Sequence, residues 1–225
     1  MPSSPKTNSP SRLRFGDALA VGKLVALAAE LQLLRDYPPL VKRGDGKYEG
    51  DILGFVKGLR LSAGVIYFLR ERLLSTGLDV SWGQLLDERQ AMCSPECDLI
   101  VHTPEGHVRE WNGDEKPVMR FKFVKAGSAR AVISCKSSLT AIDKDYPKAL
   151  KKYGIKNVFL LAECCKEAHF SRLSKAAKKA GYKGLWCLYQ VQKEGSPLQA
   201  NEKMCADFGD AVLKAVKRRR RQQAR

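Results

Sequence analysis

No stretch of this 225-residue chain approaches the ~20 consecutive apolar residues that a membrane span requires, which argues against a transmembrane helix. The apolar segment from Ala18 to Leu34 is interrupted by Lys23 and Glu30, so it reads as an amphipathic helix, not a secretory leader. Histidine is scarce. His102, His107 and His169 are scattered, and no Ser/His/Asp arrangement can be read from them. Cysteine is present but unpatterned: seven residues, an odd number, with Cys164 and Cys165 adjacent, do not form a disulfide framework. Cys93, Cys97, Cys164, Cys165 and His169 lack the paired spacing of zinc knuckles, so they read as core or partly exposed thiols. A reducing, cytoplasmic setting is expected. There is no internal repeat, no phosphate-binding Walker loop and no dinucleotide-binding glycine fingerprint.

Acidic residues are also short in one half of the chain. Residues 1–115 carry 14 Lys/Arg against 16 Asp/Glu, whereas residues 116–225 carry 26 against 8. The formal net charge of +16 is therefore concentrated, and a surface of that kind calls for a polyanionic partner. Nucleic acid is the commonest such partner for a chain with pI near 9.6, with an acidic membrane surface the lesser alternative.

Length favours a single large domain. Residues 1–14, rich in Ser and Pro, are expected to be a disordered tail, residues 15–217 one domain with an N-terminal helical part, and residues 218–225 a basic tail. Asp17 would cap a helix reaching about Asp36, where Pro38 and Pro39 forbid continuation. A second helix from about Glu49 places Ile52, Phe55, Val56 and Leu59 on one stripe. A break is expected at Ser62-Ala63-Gly64 before the stripe resumes through Val65, Ile66, Leu69 and Leu73.

From Leu78 the period shifts toward two, predicting strands at 99–102, 107–111, 118–124 and 130–135. A helix at 143–153, an apolar run at 157–162, a basic helix at 166–180, a run at 185–191 and a final helix from 201 to about 217 complete the pattern. Continuous apolar runs alternating with helices indicate strands buried on both faces. The expected class is α/β, a central mixed β-sheet flanked by helices.

Two short segments carry the chemistry. Cys97-Asp98-Leu99-Ile100-Val101 attaches an acid to one strand, and Ala131-Val132-Ile133-Ser134-Cys135-Lys136 attaches a lysine to another, 38 residues later. Alternation puts Ser134 and Lys136 on one face and turns Cys135 to the other. An acid and a lysine brought together in this way can serve phosphodiester hydrolysis, which needs positive charge against the transition state and an activated water in line.

The order of elements, with Asp98 opening one strand and Ser-Cys-Lys closing a later one, resembles the PD-(D/E)XK nuclease superfamily over roughly residues 49–191. The resemblance implies a restriction-endonuclease-like αβββαβ core and a metal-dependent endonuclease acting on DNA, in a restriction or phage-defence setting. It implies Mg2+, with Mn2+ as substitute, and Glu49, Asp98, Ser134 and Lys136 as the catalytic set. Glu49, Asp98, the backbone carbonyl of Cys135 and, at lower rank, Asp145 would hold the metal. Ser134 stands where the family pattern has an acid, and a neutral hydroxyl cannot supply the missing charge. Glu49 is the preferred substitute, with Asp143, Asp145 and Glu163 as alternatives.

Lys122, Lys125, Arg130, Lys148, Lys151, Lys152, Lys175, Lys178 and Lys179 are the candidate phosphate contacts, duplex DNA the expected partner and a homodimer compatible with it. Two other readings stand beside this one. The same fold without catalysis would be a nucleic-acid-binding module, and a basic scaffold protein would bind RNA or protein without any site.

Overall fold

The computed structural model describes residues 15–36, 50–90, 92–111, 121–191 and 200–223. Two helices come first, α1 (Phe15–Asp36) and α2 (Gly50–Leu73). α2 is continuous, and the break expected at Ser62-Ala63-Gly64 does not occur. Its small residues serve helix packing instead: a side chain at Gly64 would collide with Leu27 of α1. The strands β1 (Asp79–Leu86), β2 (Cys97–His102), β3 (His107–Trp111), β4 (Phe121–Lys125) and β5 (Ala129–Ser138) follow. The chain then alternates through α3 (Tyr146–Lys151), β6 (Val158–Lys166), α4 (Glu167–Ala180), β7 (Leu185–Val191) and α5 (Glu202–Gln223). β1 escaped the sequence reading. α5 extends past Lys217, so Arg218–Arg221 belong to a helix where a tail was expected.

The strands form one sheet ordered β3-β4-β1-β2-β5-β6-β7. β2 is antiparallel to both β1 and β5, while β5, β6 and β7 run parallel. The expected α/β class with a mixed sheet flanked by helices is therefore present, and α2, β1, β2, β5, α3 and β6 give the αβββαβ order with β3 and β4 inserted between β2 and β5. β1 lies between β2 and β4, and Gly83 is paired on both edges, with Cys97 on one side, after an irregularity in register, and with Lys122 on the other. Only glycine permits this close approach of β4, because a Cβ there would lie 1.8 Å from the Lys122 carbonyl oxygen.

Burial on both faces explains the continuous apolar runs. Val80, Leu99, Val101, Ala131, Ile133 and Cys135 pack with α1, α2 and α5, whereas Ile100, Val132, Val158, Leu160 and Ala162 pack with α3 and α4. Each large side chain so buried contributes roughly 1.5–3 kcal/mol relative to exposure. β5 is consequently held from both sides along most of its length, and the polar residues near its end inherit that rigidity. Among the described residues no helix is long and apolar enough to cross a membrane.

Candidate functional site

Pairing of Leu99 with Ile133 sets Asp98 directly across from Ser134, one step further along the antiparallel ladder. Both side chains project toward the α3/α4 side, as does Lys136 two residues on. The Asp98 carboxylate is held at one oxygen: Oδ2 accepts the Cys135 backbone N–H at 2.8 Å and the Ser134 hydroxyl at 3.3 Å. Burial raises the Asp98 pKa, opposed by the Cys135 N–H, the Lys136 charge and the Ser134 hydroxyl and reinforced by the Glu96 charge. The structure thus brings together three of the expected residues, Asp98, Ser134 and Lys136. Lys136 is exposed at the rim while Ser134 is buried.

Cys135 faces the other way, into the core against α2, where burial pushes its thiol pKa well up. It is a packing residue through its side chain, and only its main chain reaches the site. Glu49, the preferred second acid, lies outside the described residues. Asp145 turns to solvent with its side chain 90% exposed and pairs with Lys148 at 3.0 Å. Glu163 is buried, accepts the Tyr189 hydroxyl, and follows Phe159 and Leu161 onto the α1/α2/α5 side, away from Asp98. Asp143 remains. Its Oδ1 accepts the N–H groups of Asp145 and Tyr146 at 2.9 and 3.1 Å, which turns the chain from β5 into α3.

Two tyrosines complete this face and were not anticipated. The Tyr182 phenol pKa is raised by burial and then by the charges of Asp143 and Asp98, so both carboxylates act on one hydroxyl. Tyr146 donates its hydroxyl to the Glu96 carbonyl at 3.2 Å, and burial together with Cys97 and Asp98 raises its pKa. Neither carried a sequence signal, since Tyr182 is 84 residues from Asp98 and arrives through a reversal. Gly181, at φ +106°, ends α4, and Tyr182 then donates its N–H back to the Ala177 carbonyl.

The expected basic surface is partly redrawn. Lys122 is buried, and its ammonium sits 3.1 Å from the Asp79 carboxylate, so it is withdrawn from solvent and neutralised within the fold. That ion pair, with Arg70, outweighs burial in lowering the Asp79 pKa. Arg130 donates to the Gly127 carbonyl and stands six residues before Lys136, about 20 Å along the strand. Lys125, Lys148, Lys151, Lys152, Lys175, Lys178 and Lys179 are exposed. The last six lie on or beside α3 and α4, the helices covering the Asp98 face.

No protein-family model matches this chain, and no curated protein matches it. Solved structures do. The fold is similar to that of NucC from E. coli MS115-1 in its cAAA-bound form, with TM-score 0.57 at 12% identity, covering 95% of this chain and 93% of that one. NucC from P. aeruginosa ATCC27853, also cAAA-bound, gives 0.56 at 11% identity over 91% and 92%. The apo form of the E. coli protein gives 0.50 at 12% identity over 86% and 89%. At such identities the shared property is the fold.

The donors on the Asp98 face can be weighed against a divalent cation. The Asp98 carboxylate, the Ser134 hydroxyl and the Cys135 main-chain carbonyl are hard oxygen ligands, the class that suits magnesium. They supply a single negative charge, and among the described residues no three His, Cys, Asp or Glu side chains group as a metal site. A cation there would need a second carboxylate, and the described candidates are Glu96, whose charge acts on Asp98 directly, and Asp143, whose charge acts with that of Asp98 on the Tyr182 phenol.

Proposed function

We propose that this chain is a magnesium-dependent endonuclease that hydrolyses DNA phosphodiester bonds at the face carrying Asp98 and Lys136, with manganese able to substitute. The observation that supports it is the convergence of a buried acid, a hydroxyl and a rim lysine on adjacent strands of an αβββαβ core. Its setting in a NucC-like fold, and six exposed lysines on the helices covering that face, point the same way.

In this reading Lys136 orients the attacking water and offers positive charge to the phosphoryl oxygens. Asp98, fixed at Oδ2 by two donors, would hold the cation through its carboxylate, and Asp143 or Glu49 would supply the second charge. The metal would polarise the phosphate and lower the pKa of a bound water. Duplex cutting needs one site per strand, so a homodimer belongs to this reading, as do a cytoplasmic location and a restriction or phage-defence role.

The test is cleavage of supercoiled and linear duplex DNA in magnesium, manganese or EDTA by wild type and Lys136→Ala. Loss of a preorganised charge predicts a drop of ~100-fold or more in metal-dependent cutting. A second reading has its own support in Ser134, which leaves the acid-x-lysine pattern one charge short. If no substrate is cut in any metal while DNA binding stays salt-sensitive, the chain is a noncatalytic nucleic-acid-binding module.

A further inference from the structure

At the free edge of the sheet beside β7, three consecutive segments between Phe170 and Asp207 line an open pocket of about 390 Å3. Its walls are one side of α4 from Phe170 to Lys178, the start of β7 and the first turns of α5. Each wall contributes one lysine: Lys178 from α4, Lys183 before β7 and Lys203 from α5. Asp207 is the one acid in the lining, and among the described residues none of the three ammonium groups is ion-paired. Three exposed ammonium groups against a single carboxylate leave the lining with a net positive charge, which suits an anion.

The remaining lining is aromatic. Phe170 and the half-buried Trp186 border the cavity, and the Trp186 ring folds over Gly184 so closely that a Cβ there would come within 2.6 Å of it. On its inner side the ring packs against Phe159 and Phe208, each at 5.7 Å between centroids, which fixes its orientation. Asn201 caps α5 by accepting the Met204 N–H, so the positive end of a 22-residue helix also opens on the cavity. Cations on three sides with planar apolar surface between them match a ligand that carries phosphate on one part and an aromatic ring on another. The volume lies within the ~300–1,000 Å3 of small-molecule sites.

We propose that this cavity binds a nucleoside phosphate, held by Lys178, Lys183 and Lys203 and stacked against Phe170 and Trp186. The nucleotide is either free or the phosphorylated end of a single strand. The assignment does not depend on the nuclease reading: Lys178 also belongs to the basic helices that cover the Asp98 face, but Asp98, Ser134 and Lys136 take no part in it.

The full-length protein is titrated in EDTA with adenosine monophosphate, with a short 5′-phosphorylated single-stranded oligonucleotide and with inorganic phosphate, following tryptophan fluorescence. A saturable change is expected with at least one nucleotide probe, absent in Trp186→Phe. The affinity should fall about tenfold per lysine in Lys183→Glu and in Lys203→Glu, each loss corresponding to one charge-assisted contact. Binding of the mononucleotide assigns a free ligand, and binding of the oligonucleotide alone assigns a strand end. Circular dichroism and the melting temperature establish that the variants are folded, and Lys136→Ala should bind as wild type does. No saturable response to any probe, or equal affinity in the folded lysine variants, overturns the proposal and leaves the cleavage test untouched.

Discussion

Replacing Ser134 by glutamate would add beside Lys136 the acid that the proposed nuclease site lacks, and its consequence can be worked from the structure. The Ser134 hydroxyl oxygen is 3.3 Å from Asp98 Oδ2, so a glutamate at this position places a second carboxylate within about 4–5 Å of the first. At an effective dielectric of about 20, two unit charges at that separation repel by roughly 4 kcal/mol. For a protein of this size each kcal/mol moves the melting temperature by about 2–4 °C, so Ser134→Glu in EDTA should melt roughly 10 °C below wild type. Protonation removes the repulsion, so the deficit should shrink as the pH is lowered. A divalent cation should remove it too, returning about 2.7 kcal/mol at one hundred times its dissociation constant. The assay is thermal unfolding of both proteins in EDTA, magnesium and calcium across acid and neutral pH. If Ser134→Glu is as stable as wild type in EDTA and gains no more from metal than wild type does, the facing geometry of Asp98 and position 134 is refuted.

Other outcomes follow from the same site. The folded Asp98 carboxyl binds its proton more tightly than the unfolded one, so this residue stabilises the fold at acid pH and that contribution is lost as pH rises through the ordinary carboxylate range toward the raised value. Asp98→Asn should therefore melt above wild type at neutral pH in EDTA, with the gap closing in acid, while cleavage is abolished; a constant gap across pH would refute this. Thiol reactivity should single out Cys93. It is the one exposed cysteine, whereas Cys97 is buried with its pKa pushed up to about 11 and Cys135 and Cys205 are buried with theirs raised. Mass spectrometry of the native protein after brief iodoacetamide treatment should find one alkylated residue, and all seven after urea; rapid labelling of Cys135 would contradict its burial under α2.

Period and spacing alone made much of this molecule legible. The Leu99–Val101 and Ala131–Ile133 runs are apolar enough to require burial on both faces, which identifies them as central strands. Alternation then places Ser134 and Lys136 together and Cys135 apart, because the pleat reverses direction at every residue. β1 is hard to read because Gly83, Gln84 and the partly exposed Trp82 obscure its pattern, and Gly83 is there for a close approach of β4 that no local rule expresses. α2 was cut in two because Ser62, Ala63 and Gly64 look like a breaker, although the close approach of Leu27 shows that they are small to admit a neighbouring helix.

What the sequence by itself determined is the order of the strands and helices from Leu99 onward, the acid and the lysine, and the charge imbalance, since these depend on residue identity and short-range periodicity. Which charges are usable was decided by tertiary structure alone. Lys122 disappears into an ion pair with Asp79 across the β1/β4 boundary, and Asp145 turns outward while Asp143, two residues away, reaches the phenol that Asp98 also reaches. Lys178, Lys183 and Lys203 meet around one cavity only because α4, β7 and α5 close on the sheet edge. Burial and electrostatic pairing depend on distances between segments far apart in the chain, and those distances exist only once the sheet has formed.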